Sequence, residues 1–144
     1  MAYDLTRFLQ AQEGRPEGSY SQALAEIKQG RKASHWMWYI FPQMKGLGRS
    51  SMSEFYGISG VEEARAYLKD PVLGARLEEI CNALLALDAE DIVRVMGRPD
   101  DKKLKSSMTL FEAAAEDPAV FQKVLEKYYR GKRDGCTLRM LGIE

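Results

Sequence analysis

Apolar residues recur along most of this chain every three or four positions and nowhere alternate convincingly with polar ones, so the pattern predicts helices and no strands. Leu5, Phe8, Leu9 and Gln12 share one face of a first helix that Asp4 caps and that stops near Gly14. After a loop at Arg15-Pro16-Glu17-Gly18, Ser19 opens a second helix with Tyr20, Ala23, Leu24 and Ile27 inward. Gly30 stands where a left-handed residue would close it. Ser59, followed three residues later by Glu62, reads as a capping box for a helix carrying Val61, Ala64 and Leu68. Asp70-Pro71 then starts the most regular helix, whose Leu73, Leu77, Ile80, Leu84 and Leu87 form one seam. Asp88 and Gly97 bracket a short helix with Ile92, Val93 and Met96, and beyond Pro99 another turns Leu104, Met108, Phe111 and Ala115 inward. Asp117-Pro118 repeats the earlier cap ahead of Phe121, Val124, Leu125 and Tyr128, in a helix that ends near Gly131. A last turn after Asp134 carries Leu138 and Leu141.

Residues 31–58 break this regularity. Trp36-Met37-Trp38-Tyr39-Ile40-Phe41 is apolar on every side, which fits a short buried helix after Ser34 that Pro42 ends by pushing Phe41 toward an extended backbone; pattern alone also admits a short strand. A segment this rich in aromatic rings is expected to thread the core. The fold class that follows is all-α, a single multi-helical domain over residues 1–144. Asp117 lies 47 positions beyond Asp70, which hints at the helical-pair repeats of about 40 to 47 residues found in solenoids.

Length and composition narrow the function classes. A chain of 144 residues supports one core, and its 45% apolar and 29% charged residues match a folded soluble protein. Lysine plus arginine equal aspartate plus glutamate at 21 each, so no excess positive charge exists for a phosphate backbone or an anionic membrane, and no nucleic-acid partner is expected. The longest apolar run is too short to span a bilayer, and Met1-Ala2-Tyr3-Asp4 lacks a signal-peptide pattern, which makes the cytoplasm the expected location. Cys81 and Cys136 form no Cys-x-x-Cys and read as reduced, structural thiols. One histidine without a second ligand at metal spacing argues against a metal site, and no cofactor fingerprint is complete, so neither is expected.

Several side chains remain that carry chemistry. His35 is the one side chain whose ordinary pKa is near neutral and is the candidate general acid or base; its alternative is packing against Trp36 and Tyr39. Trp36 and Trp38 offer stacking faces for a planar ligand unless they are simply core, and Gln43 is placed to read a ligand edge. Lys45-Gly46-Leu47-Gly48-Arg49-Ser50-Ser51 combines glycines, cations and hydroxyls suited to an anion, or is an ordinary loop. Ser106, Ser107 and Thr109 sit inside a helix where such residues are poor formers. Either they face something that bonds them, with Lys105 entering the same cavity as Arg49, or they bond back to their own helix.

Taken together, His35-Trp36-Met37-Trp38-Tyr39-Ile40-Phe41-Pro42-Gln43, Gly46-Leu47-Gly48-Arg49-Ser50, Tyr67-Leu68 and Lys105-Ser106-Ser107-Met108-Thr109-Leu110-Phe111 resemble the bacterial family catalogued as domain of unknown function 1810. The resemblance implies a small all-helical protein of armadillo-like or horseshoe-like form and brings no activity with it.

The leading expectation is a pocket for a small anionic or nucleotide-like ligand between residues 35–50 and 102–111. Its ligand-binding residues would be Trp36, Trp38, Gln43, Arg49, Lys105 and Ser106. The alternatives are a helical scaffold for a protein partner, with an apolar patch around Tyr128 and Tyr129, and a metal-independent hydrolase or proton-transfer enzyme using His35. Oligomeric state is not encoded in any of these features. If His35 is catalytic, His35→Ala abolishes turnover and leaves the melting temperature nearly unchanged; a large loss of stability would mark a packing role.

Overall fold

Ten helices make up the regular structure among the described residues, 3–14 and 18–143, of a computed structural model of the chain. The expected loop at Arg15, Pro16 and Glu17 lies outside them. The fold is all-α, and the one β feature among the described residues is a parallel bridge between Met44 and Ile58. None of the described helices is long and apolar enough to cross a membrane.

The caps fall close to where the sequence puts them. Asp4 Oδ1 accepts the Thr6 N–H ahead of α1 (Thr6–Glu13), and Ser19 Oγ accepts the Gln22 N–H at the start of α2 (Tyr20–Lys28). Gly30 follows with φ +85°, the left-handed conformation expected there. Within the aromatic segment, α3 (Met37–Ile40) is a single turn, and Phe41 leaves it with φ −124° and ψ 74° before Pro42. A further short helix, α4 (Ser51–Phe55), is capped by Ser50 Oγ on the Ser53 N–H. The sequence reading misses it because five residues carry too little periodicity.

The capping box at Ser59 is displaced by one residue. Helix α5 (Val61–Lys69) follows Gly60, and the carboxylate reaching back to the Ser59 N–H belongs to buried Glu63, while Glu62 is exposed. Glu63 also pairs with Arg7 at 3.0 Å, and that long-range contact selects it over Glu62. Asp70 Oδ1 caps α6 (Leu73–Leu85) by accepting from Val72 and Leu73, and Asp117 Oδ1 accepts from Ala119 at α9 (Ala119–Tyr129). The junction of α5 and α6 needs a glycine, since a Cβ on Gly74 would lie 2.1 Å from the Leu68 carbonyl oxygen. At the other end of α6, the Lys127 ammonium from α9 donates to the carbonyls of Leu84, Leu85 and Leu87 and satisfies a helix terminus that has no further turn to bond. Asp91, not Asp88, caps α7 (Ile92–Met96).

Helix α8 (Asp100–Ala114) lies in the middle, in contact with α5, α7, α9 and the last helix, α10 (Gly135–Leu141). From Ser106 to Phe111 every residue is buried, so this helix has no solvent face through its central turns. The core is continuous from Phe8 through Trp36, Leu77 and Phe111 to Leu125.

One carboxylate orders the aromatic segment. Buried Glu26, on α2, accepts from the Ala33 and Ser34 N–H groups at 2.7 and 3.0 Å, from the Ser34 hydroxyl at 2.6 Å and from the Trp36 indole at 2.9 Å. Burial raises its pKa, but these donors outweigh burial and hold it below the usual glutamate range. A lowered folded-state pKa stabilises the fold above the unfolded value of about 4.3, and that stability disappears as pH falls through the lower folded value. Glu26→Gln is expected to cost about 2 kcal/mol at pH 7 and to flatten the acid limb of a pH titration of melting temperature. An acid limb identical to that of the wild type would remove this role.

Candidate functional site

The chain leaves α2 at Gly30 and crosses α7, where the Lys32 N–H donates to the Val95 carbonyl at 2.7 Å. That bond aims the Lys32 side chain inward. Its ammonium donates to the Ser34 carbonyl at 2.6 Å, pairs with Asp100 Oδ2 at 2.9 Å and stands 4.9 Å from the centre of the Trp36 ring. Asp100 begins α8, and its other oxygen is 3.6 Å from the ammonium of Lys103, one turn along the same helix. Lys103 in turn sits 3.7 Å above the centre of Trp38. Trp36, Lys32, Asp100, Lys103 and Trp38 therefore form one line of alternating indoles and charges, with two ammonium groups sharing one carboxylate. The line leaves an uncompensated positive charge against a half-exposed indole.

The two ends differ. Trp36 has no solvent contact, and the Lys32 side chain is 9% exposed, so that end is structural. Trp38 and Lys103 are half-buried and reachable. Beside Trp38 runs the loop from Gly46 to Ser50. A Cβ on Gly48 would lie 3.9 Å from Trp38 Cζ3 and 2.7 Å from Ser53 Cβ, so only glycine lets this loop approach. Arg49 follows, exposed and without a partner among the described residues.

The residues singled out from the sequence separate accordingly. Trp38 is half-buried against Gly48, and Arg49, the next residue in the chain, is exposed. Trp36 is not available for stacking, because the Glu26 hydrogen bond draws its ring into the core. The lysine over the Trp38 ring is Lys103; half-buried Lys105, two residues later at 100° per residue, lies on another face of α8. Ser106 and Thr109 bond back to the carbonyls of Lys102 and Lys105, and Thr109 Oγ1 also accepts the Asp134 N–H. Gln43 is half-buried, with its main-chain carbonyl accepting the Ile58 N–H. His35 is exposed, its carbonyl accepts the Tyr39 hydroxyl at 3.3 Å, and among the described residues no carboxylate orients its ring. Tyr128 and Tyr129 are not an apolar surface patch. Tyr128 is buried with its hydroxyl, pushed up to about pKa 12 by burial, donating to the Leu84 carbonyl; the Tyr129 hydroxyl donates to that of Asp101. Among the described residues the exposed large apolar side chains are instead Tyr3, Met52 and Phe55 on α4, Val72, Met140 on α10, and Ile143.

Lys32, Asp100 and Lys103 are the members that sequence reasoning misses. The three-residue spacing of Asp100 and Lys103 is a visible signal for a helical ion pair, whereas Lys32 joins them only through the tertiary fold. Ser107 adds one more feature. It is fully buried, lies one turn beyond Lys103 on the same face of α8, and its hydroxyl has no partner among the described residues. Among the clefts formed by the described residues, two are of a volume to hold a small molecule. One of about 750 Å³ is bounded by Gly30, Arg31, Lys32, Arg94 and Gly97 and so meets the indole line at Lys32; the other, of about 1040 Å³, lies among Arg65, Lys69, Asp70, Glu78, Asp117 and Lys123. Neither is lined by Trp36, Trp38, Gln43, Arg49, Lys105 or Ser106. Burial pushes the Cys81 thiol up and keeps it protonated against Met108, which fits a structural role; both cysteines are free.

Residues 2–141 match the family model described as "Protein of unknown function (DUF1810)". The chain belongs to the DUF1810 family. No curated protein matches it. Among solved structures it is similar to the conserved hypothetical protein Rv1873 from Mycobacterium tuberculosis, determined at 1.38 Å. The two are 42% identical over 99% of each chain, with a TM-score of 0.92. The structural comparison supports the all-α fold, and neither comparison brings an activity to this DUF1810 member.

The unpartnered Ser107 hydroxyl supplies a direct test of whether the face beneath Lys103 is made for stability. Ser107→Ala removes a buried polar group with no protein partner and is expected to stabilise the fold by about 1 kcal/mol, read as a higher melting temperature. A loss of similar size would mean that the hydroxyl is satisfied in solution by a bound water.

Proposed function

We propose that this DUF1810 protein binds a small anionic ligand at the face formed by Trp38, Lys103 and Arg49, with Lys32 and Asp100 holding that face in position. The observation that carries the proposal is the Lys103 ammonium, 3.7 Å above a half-exposed indole and only loosely tied to Asp100 at 3.6 Å. A stacking surface beside a cation free to turn toward a ligand is the chemistry that planar anions need. Gly48 lies against Trp38, and the next residue in the chain is the exposed Arg49. We place this activity in the cytoplasm, in keeping with two free thiols and with the lack of a membrane-crossing helix among the described residues.

A scaffold for a protein partner has its own support in Phe55 and Met52, 58% and 42% exposed on α4. An acid–base role for His35 has less, because an exposed imidazole without an orienting carboxylate lacks the third group of the usual catalytic arrangement.

A thermal-shift screen with adenosine monophosphate, glucose 6-phosphate and succinate separates these roles. A ligand at 100 times its dissociation constant stabilises by about 2.7 kcal/mol, which for a chain of this size raises the melting temperature by roughly 8 °C. Lys103→Ala is expected to erase the shift while costing about 1 kcal/mol or less of stability itself. No shift with any of the three compounds would discard the ligand site and favour the partner scaffold.

A further inference from the structure

We propose a second binding site, independent of the Trp38 face: the cleft where α5 and α6 meet α8 and α9 takes a short peptide with free ends. The four helices pack pairwise, and the cleft of about 1040 Å³ opens between them. Arg65, Leu68 and Lys69 line it from α5, and Ala75, Glu78 and Asn82 from α6, each set at the spacing of a single helix face. Space remains because the side chains at this meeting point are short: Ala75, Ala114, Ala115 and Ala119 all line the gap and are too small to fill it. Leu68, Val120 and Phe121 add an apolar surface.

Charge decides the class of occupant. Arg65 is the anchored group. Its Nε donates to the Ala114 carbonyl at 3.4 Å, which holds the guanidinium at the end of α8 and leaves its two terminal nitrogens for a carboxylate. Asp70 and Asp117 each spend one oxygen on a helix cap. Lys69, Lys123, Glu78 and Glu116 are exposed, and none of the four makes an ion pair among the described residues although all line this cleft. Opposite charges that share a cleft without meeting are too far apart for one compact ion to satisfy both. A chain that carries its ammonium and carboxylate at separate ends does so, and its side chains cover the apolar surface. Size agrees, because an extended di- or tripeptide, at about 3.3 to 3.6 Å per residue, sets its end charges further apart than a single amino acid can. Glu78 is the acceptor for the ammonium, since it stands on a regular helix between Ala75 and Asn82, whereas Glu116 lies in the connection between α8 and α9.

Calorimetric titration of the full chain with alanyl-leucyl-alanine, its C-terminal amide and its N-acetyl form tests the assignment. The free tripeptide is expected to bind, and loss of either end charge to weaken it at least about tenfold, the scale of a charge-assisted contact. Arg65→Ala should weaken the free tripeptide by a similar factor and leave the affinity of the amide unchanged. Glu78→Gln should weaken the free tripeptide and leave the N-acetyl form unchanged. Ala75→Leu, at an exposed helical position that leucine suits, fills the cleft and should abolish binding with little change in melting temperature. Lys103→Ala should bind the tripeptide as the wild type does. No binding of the free tripeptide up to about 10 mM, end-blocked forms as tight as the free one, or a folded Ala75→Leu protein that still binds would overturn the proposal. Loss of binding in Lys103→Ala would put the peptide at the Trp38 face and overturn it as well.

Discussion

The hydrogen bond from the Trp36 indole to Glu26 is the constraint on which the middle of this structure depends. A tryptophan with no solvent contact must place its N–H somewhere, and an unpaired one would cost about 1 to 3 kcal/mol. Glu26 meets that need and in the same step gathers the Ser34 and Ala33 groups, which lie in a stretch without regular structure. Once this corner is fixed, Lys32 has nowhere to go but over the Trp36 ring, and Trp38, two residues on, is left at the surface of the same segment.

Helix α8 answers from the other side. It is unusual in being buried all round while carrying Ser106, Ser107 and Thr109, and the fold copes by returning two of those hydroxyls to the helix's own carbonyls. Its first turn is different: Asp100 and Lys103 project toward the aromatic segment and join its charges to those of Lys32. A buried ion pair seldom stabilises a fold more than apolar residues of similar size would, because both partners lose their hydration. Two lysines stacked on two indoles around one carboxylate thus make better sense as a device for presenting charge than as a contribution to stability.

The same observations account for the roles of the remaining unusual residues. Gly48 is required by its approach to Ser53 and Trp38, where a Cβ would have no room beside Ser53. The tyrosines near the end of α9 are donors to the carbonyls of Leu84 and Asp101, which ties α9 to α6 and α8. Phe55 on α4 is the most exposed of the large apolar side chains among the described residues.

Much of the fold was legible in the sequence, because helices are written in local terms. Caps such as Ser19, Asp70, Asp117 and Asp134, the seam from Leu73 to Leu84 and the break at Pro42 each depend on residues within one or two turns. Errors arose where a distant partner decided between neighbours: Glu63 was chosen over Glu62 by Arg7, and α4 was too short to leave a period. The candidate site was only half legible for the same reason. That Trp38 and Arg49 carried chemistry could be read from residue type, but that Trp36 is sealed, that Lys103 and not Lys105 covers the indole, and that Lys32 meets Asp100 across 68 positions were set by packing alone. The sequence by itself determined the helices and the residue types available for a site; tertiary structure decided which of those side chains meet, because pairing of charges and burial of rings depend on distances that no local periodicity encodes.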